Sequence, residues 1–488
     1  MKITILGSCR QKPLSKYFTV TSIQDSLTYP HYTKEIIQAI EYIKGSSSIT
    51  SEESQVCFRT GILQHAPIIN QFQQEFNDTD LFVIEIASRI SYQWNQRYVH
   101  HIATEEQYGC REHIVQCELT DEEIEKDLCQ IKELLSPKKI LIVSHLYTYE
   151  SGKRYELIKL LERLCIKYEL PFLSPSTYLM YETDVYQKEA VLSHYTEKGE
   201  QQIAQIYKNY INDLYKPKTV VLVLKNKYCN YVQTDRDAFW GIGDMIRTMY
   251  GMYRKSLHSN YRLLIDLSHH PISKYIIHHD HSYSRHLSTI IDTIHLIPNP
   301  DIDYYIKIQS DPVIFMGAHC ALESYDPCEH EIDIQLFVKK HICPTSEFMD
   351  FFNHKNIIGN VSDKHLIHYR IGDDEIVRNT INADKINQYY EHFLKQPLHH
   401  ILLSDSPTFK QYVKQKGQQI VIFDHEITHL GYDRDDDKIK NSLFEYFLAT
   451  KVKQITSYSV YGWISGFIHS IHKVFNVPIQ HYMNVIMP

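Results

Sequence analysis

Short apolar runs alternate with helical periodicities along the first two hundred or so residues. The runs at 2–6, 81–86 and 139–143 each end in polar residues and predict strands. Apolar positions recur at helical spacing over 121–135, 151–168 and 198–214. Thr120 stands just before Asp121 as an N-cap, and carboxylates fill the first turn behind it. This rhythm predicts a parallel sheet flanked by helices.

The pattern breaks at Tyr-Lys-Pro-Lys-Thr, residues 215–219, and then restarts. Strands are predicted at 219–224, 262–266, 365–368, 400–404, 420–423 and 454–456. Helices are predicted at 243–256, 384–394, 407–416 and 438–450. A further division falls near 345–360. The expectation is an α/β protein of two domains, 1–214 and 218–488, the second made of lobes at about 218–350 and 351–488 with a cleft between them.

Composition changes this picture little. A chain of 488 residues exceeds what one core fills, which suits more than one domain. A net charge of −8 spread along the chain speaks against a phosphate-tracking surface, so no nucleic-acid partner is expected. The ten cysteines form no CxxC pair and predict reduced thiols in a cytoplasmic protein. Residues 1–11 lack the apolar core of a signal peptide, and no stretch approaches the ~20 apolar residues of a membrane span.

Chemistry-bearing residues gather at the ends of the predicted C-terminal strands. His-Tyr-Arg-Ile-Gly-Asp at 368–373 places His368 and Arg370 on one side of a strand. Strand ends in open α/β sheets are where ligands bind, and an arginine there can fork onto a diphosphate. Gly372 allows a sharp turn or a close ligand approach, with Asp373 behind it. Phe-Trp-Gly-Ile-Gly-Asp-Met-Ile-Arg at 239–247 is a Gly-rich turn opening a helix, a place suited to anionic groups. His-Ile-Leu-Leu-Ser-Asp-Ser at 400–406 ends a strand in Asp405, and Gln-Ile-Thr-Ser-Tyr-Ser at 454–459 ends one in Ser457 and Ser459. Gly462 and Ser-Gly-Phe at 465–467 follow.

In order and spacing these four pieces resemble the fucosyltransferase superfamily that includes the α-1,6, plant-type α-1,2 and protein O-fucosyltransferases, over nearly all of 218–488. The resemblance implies a two-lobed GT-B-like fold and an inverting, metal-independent transfer from GDP-fucose, or a related GDP-deoxyhexose, to a glycan hydroxyl. It implies that Arg370 contacts the β-phosphate, His368 lies beside the nucleoside and Asp405 faces the base or ribose. Ser457 and Ser459 would bind phosphate oxygens, and Gly241 and Gly243 would form the turn that meets sugar and diphosphate. No cofactor is implied beyond the GDP-sugar donor and the glycan acceptor. Asp244 is the candidate general base, beside its plainer reading as a first-turn helix carboxylate.

The N-terminal half has its own candidate. Residues 2–10 form a strand running into Gly-Ser-Cys, which sets Ser8 on a tight turn, a nucleophile's position. Ser-His-Tyr-Thr-Glu-Lys-Gly at 193–199 precedes a helix. Together these resemble the SGNH (GDSL-like) hydrolases of polysaccharide loci. That resemblance implies a three-layer α/β/α domain with Ser8 as nucleophile, His194 as base, and Gly7 N–H or a neighbouring backbone group in an oxyanion hole. The family's Asp three residues before the His is Val191 here, and Glu189 is out of register. The family's Gly and Asn blocks are not recognisable, Cys9 is a rival nucleophile, and Val-Ser-His at 143–145 ends a strand without the family pattern.

Other clusters weigh less. Adjacent histidines at 269–270 and 278–281 do not face one ligand well, so no metal is expected there. The acidic run at 433–437 reads as a solvated loop, and His425 and His429 fall near the expected donor cleft. Two other readings stay open: an acyl-esterase or acyltransferase whose C-terminal half recognises a glycan, and a non-catalytic glycan-binding protein.

Overall fold

The computed structural model describes residues 1–108, 113–180, 184–186, 195–225, 241–277, 284–320, 322–372, 383–396, 400–423, 425–428 and 435–484. The chain divides into two compact units, Met1–Asn212 and Asp213–Pro488. Both are mixed α/β structures built on parallel sheets. No helix among the described residues is long and apolar enough to cross a membrane.

In the first unit, strands β1 (Lys2–Leu6), β2 (Thr19–Val20) and β3 (Leu81–Ile86) precede a small antiparallel sheet of β4 (Ile90–Trp94), β5 (Arg97–Tyr98) and β6 (Val115–Glu118). Strands β7 (Lys139–Ser144) and β8 (Phe172–Leu173) complete a parallel sheet in the order β2-β1-β3-β7-β8. All six residues of β3 are buried, so helices and loops cover both faces. Phe82, Ile84 and Ile86 share one core with Ile36, Ile40 and Ile43 of the helix Thr33–Lys44 and with Ile124, Leu128 and Ile131 of the helix Asp121–Leu135. The latter begins with a complete capping box between Thr120 and Glu123.

The second unit holds two parallel sheets. Strands β9 (Lys218–Val223), β10 (Tyr261–Asp266), β11 (Leu296–Pro298) and β12 (Val313–His319) run in the order β10-β9-β12-β11. Strands β13 (His365–Arg370), β14 (Ile401–Ser404), β15 (Val421–Ile422), β16 (Gln454–Ser459) and β17 (Ile479–Tyr482) run in the order β15-β14-β13-β16-β17. One core joins them: Val220 and Leu222 of β9, Leu366 of β13, Leu403 of β14 and Ile455 of β16 belong to a single buried cluster. The helix Gly466–Phe475 links the halves because it connects β16 to β17 of the second sheet yet packs on the helix Ile242–Leu257 of the first.

Strands β13 and β16 run two and three residues further than their apolar cores suggest. The extensions alternate: Tyr369 and Tyr458 join an apolar cluster on one face, while Arg370, Ser457 and Ser459 take the other. In register, His368 pairs with Ser457 and Arg370 with Ser459. This extension carries the candidate site.

Candidate functional site

Strand alternation sets residues 366, 368 and 370 of β13 on one face, opposite 455, 457 and 459 of β16. Leu366 and Ile455 begin that face in the core. Toward the carboxyl ends the same face turns polar, with His368, Arg370, Ser457 and Ser459. Asp405 follows Leu403, which pairs with His368 in β14. An apolar floor thus gives way to polar groups at the carboxyl ends of three adjacent parallel strands, where open α/β sheets bind ligands.

His368 is buried, and its Nδ1 lies 3.0 Å from Ser457 Oγ. Its ring lies parallel to that of Phe467, 10° apart in plane and 6.1 Å between centroids. Burial, and then the Arg370 guanidinium, push the imidazolium down to about 3, so His368 is neutral near pH 7. Arg370 Nη1 donates to Asp405 Oδ2 at 2.7 Å, and its guanidinium carbon sits 5.9 Å from the centre of the Tyr461 ring. The Asp405 carboxylate also accepts from Ile371 N (2.7 Å) and Gly372 N (3.0 Å). Gly372 has φ +133°, a conformation open to glycine, and a Cβ there would come 3.3 Å from the Tyr461 hydroxyl. Asp405, expected to face base or ribose, is therefore tied to Arg370 and the turn after it. Ser459 Oγ accepts from Tyr461 N at 3.2 Å and shapes the next turn.

Gly241 is the N-cap of the helix Ile242–Leu257, and Gly243 lies inside its first turn rather than in the loop before it. A Cβ on Gly243 would fall 2.3 Å from the carbonyl carbon of Gly466 and 2.6 Å from Phe467 N. The missing side chain thus serves a helix crossing. Asp244 Oδ1 accepts from Arg247 Nη2 at 2.6 Å and lies 3.9 Å from where a Gly466 Cβ would stand. Arg247 in turn donates to Cys320 O (3.0 Å) and lies 3.4 Å from His319 Nε2, at the carboxyl end of β12. The Gly466–Phe467 step therefore packs its backbone against Gly243, beside Asp244, and its ring against His368.

Behind His368 lies a buried ionic cluster. Lys410 Nζ donates to Glu445 Oε1 at 2.9 Å, and His425 Nε2 lies 3.2 Å from the same oxygen. Burial alone would raise the Glu445 carboxyl, but Lys410 and His425 outweigh it and hold the group ionised.

In the first unit, Ser8 follows β1 on the side of β3. Its N–H and Oγ both donate to Glu85 Oε2, at 2.7 and 2.6 Å. His145 Nδ1 lies 3.2 Å from Glu85 Oε1 and 3.0 Å from Arg10 Nη1. A Cβ on Gly7 would fall 2.5 Å from Glu85 Cβ, which explains the glycine. Burial opposes ionisation of Glu85, yet the contacts with His145, Ser8 and Arg10 prevail and hold it ionised. The Ser8 N–H, a backbone group expected to receive an oxyanion, is thus occupied by a carboxylate. His194, the expected base, lies outside the described residues, as do Val191, Glu189, Asp373, His429 and the cluster at 278–281.

The structure brings His368, Arg370, Gly372, Asp405, Ser457 and Ser459 together and joins Gly243 and Asp244 to them through Gly466 and Phe467. Sequence reading quoted Arg247, Phe467 and Arg10 within its motifs but gave them no role, and it missed His319, Lys410, Glu445 and Tyr461 in the second unit and Glu85 in the first. A carboxylate inside the apolar run of β3 was the readable signal for Glu85.

No curated protein sequence matches the chain. Residues 1–109 match the family model described as the TviD N-terminal domain. Among solved structures, the chain is similar to the α-1,6-fucosyltransferase NodZ from Bradyrhizobium, soaked with GDP-fucose, at 12% identity and a TM-score of 0.33 over 53% of this chain and 93% of that one. It is similar to Arabidopsis thaliana FUT1 in complex with GDP at 12% identity and a TM-score of 0.34, over 63% and 79%. It is similar to POFUT1 in complex with GDP-fucose at 10% identity and a TM-score of 0.24, over 66% and 82%.

Proposed function

We propose that the Asp213–Pro488 unit is a glycosyltransferase that moves a deoxyhexose, fucose in the first instance, from its GDP-sugar to a glycan hydroxyl, with inversion, without metal and in the cytoplasm. One observation carries this reading: four separate sequence pieces meet at one place. The Gly-rich helix start meets Gly466, Phe467 covers His368, Ser457 bonds His368, and Asp405 holds Arg370.

Departure of a nucleoside diphosphate builds negative charge on its oxygens, and a preorganised guanidinium stabilises that charge. Arg370 fills this role, with Asp405 fixing its direction. His368 is uncharged at neutral pH and offers the nucleotide a hydrogen-bonding edge rather than a proton. An acceptor hydroxyl needs a base, and Asp244 is the carboxylate at the helix crossing; its bond to Arg247 has to be shared or opened to take that proton.

The test is calorimetric titration of GDP, UDP and ADP into the full chain. GDP binds selectively, and Arg370→Ala abolishes that binding. No binding of any nucleotide by a folded chain would remove the reading and favour a glycan-binding protein.

For the Met1–Asn212 unit we propose an SGNH-like domain that adds or removes an acyl group on the same glycan. The position of Ser8 at the carboxyl end of β1, in a parallel sheet ordered β2-β1-β3-β7-β8, supports it. An acyl oxyanion would have to displace Glu85 from the Ser8 N–H. Release of acetate from a nitrophenyl ester, lost in Ser8→Ala, tests it; equal release by both proteins removes Ser8 from the chemistry.

A further inference from the structure

Three histidines converge in the first unit from positions far apart in sequence. His31 precedes the helix Thr33–Lys44, while His100 and His101 lie at the start of the short 3-10 turn after β5. The ring centroids stand 5.2 Å apart for His31 and His100, 4.6 Å for His31 and His101, and 4.4 Å for His100 and His101. One ring nitrogen of each lies within 4.8 Å of the other two.

Two independent observations point to a ligand. Among the described residues, His31 Nδ1 is buried with no hydrogen-bond partner, a costly arrangement for a lone pair or an N–H. The ring of His100, by contrast, is oriented by a contact of 3.1 Å between its Nε2 and the carbonyl of Tyr29. A backbone carbonyl on one imidazole nitrogen is the usual support for a histidine that binds a metal through the other. Nδ1 of His100 holds only a long bond of 3.3 Å from Ile102 N.

We propose that His31, His100 and His101 form a binding site for a zinc-class divalent ion, coordinated by three imidazole nitrogens. Three histidines and one open position are a recurrent zinc set. A tetrahedral ion at about 2.0–2.1 Å from each nitrogen draws the three to roughly 3.4 Å of one another, a closing of rings already packed together. Nitrogen donors without carboxylates select zinc and its neighbours over magnesium or calcium. The site stands near the Ser8 group, since the His31 carbonyl accepts from Ala87 N at 2.9 Å, two residues beyond Glu85.

The experiment uses the full chain, stripped with a chelator and dialysed against zinc or cobalt chloride. Zinc binds one ion per chain at this site, cobalt gives the intense visible band of a tetrahedral complex, and zinc raises the melting temperature. His31→Ala and His101→Ala each lower zinc affinity by about a hundredfold or more and abolish the cobalt band. His101 is only partly buried on a loop, so its variant decides the matter if His31→Ala fails to fold. Absence of bound zinc in the wild-type chain overturns the proposal. So does zinc binding that is unchanged in His101→Ala, which would place the ion among the chain's other histidines.

Discussion

Asp405 holds Arg370 through one carboxylate oxygen at 2.7 Å and, with the same group, gathers the backbone N–H groups of Ile371 and Gly372. The guanidinium is therefore aimed before any ligand arrives. On the proposed function, Arg370→Ala is expected to lower transfer by a factor on the order of a hundred or more, as for loss of a transition-state charge partner, and to lower the melting temperature as well, because the buried Asp405 carboxylate loses its cation. Arg370→Lys does not restore it, because an ammonium lacks the planar fork. Initial rates with GDP-fucose and circular dichroism check both; full activity in Arg370→Ala would take Arg370 out of the reaction.

The contact between Gly243 and Gly466 leaves no room for a methyl group. A Cβ at Gly243 would meet backbone at 2.3 Å, which cannot rotate away as a side chain can. Gly243→Ala is expected to destabilise the unit by about 1–3 kcal/mol. It also weakens GDP binding, since displacing Phe467 uncovers His368. A variant with wild-type melting temperature and GDP affinity would show that the two helices do not cross there.

Lys410 and Glu445 are nearly inaccessible, at 4% and 5% side-chain exposure, and Lys410 is the cationic partner of Glu445, whose same oxygen also lies 3.2 Å from His425 Nε2. Lys410→Met strands a buried carboxylate and costs about 3–5 kcal/mol. Lys410→Met with Glu445→Leu recovers much of that loss, because two apolar groups need no partner. Urea unfolding of the three proteins measures the difference. Equal destabilisation by single and double variants would mean that packing, not charge, decides.

Much of this was legible in the sequence because it depends on local pattern. The strands at 2–6 and 81–86 and the helix at 121–135 emerge at the expected residues, since apolar runs and the Thr120 capping box act within a few positions. The shared face of His368 and Arg370 also follows from strand alternation. Long-range pairing did not show. Ser457 is 89 residues from His368, and nothing local says that a serine turn will extend β16 to bond it. The helix Gly466–Phe475 opens with a glycine that reads as a turn until Gly243 is seen against it. His31 and the pair at 100–101 meet only through the fold, whereas the histidine runs that attracted notice were neighbours in sequence.

Buried neutral histidine makes stability depend on pH with a definite sign. The His368 imidazolium is depressed to about 3, below the ordinary value of 6.5, so the unfolded chain takes the proton first. The contribution is present above pH 6.5 and is lost as pH falls from there toward 3. His368→Asn, which keeps a polar edge toward Ser457 but cannot titrate there, therefore loses less melting temperature between pH 7.5 and 5.5 than the wild type. An identical loss in both would mean that His368 carries its proton in the folded chain.

Charge on a departing diphosphate can be met by a metal ion or by fixed cations, and the two demand different carboxylates. A metal needs acidic side chains with free lone pairs facing the phosphates. Asp405 commits both oxygens to Arg370, Ile371 and Gly372, and Asp244 is paired with Arg247. Among the described residues, the strand-end site is thus arranged as cation and hydroxyls, with Asp405 and Asp244 each holding an arginine. Transfer from GDP-fucose is accordingly expected to proceed at an unchanged rate in excess EDTA, even as the chelator strips zinc from His31, His100 and His101. Rates and bound zinc measured on the same sample separate the two sites. Strong inhibition reversed by Mg²⁺ or Mn²⁺ would mean that Asp405 or Asp244 leaves its arginine for a metal during turnover, and Arg370 would then no longer be the main partner of the leaving group.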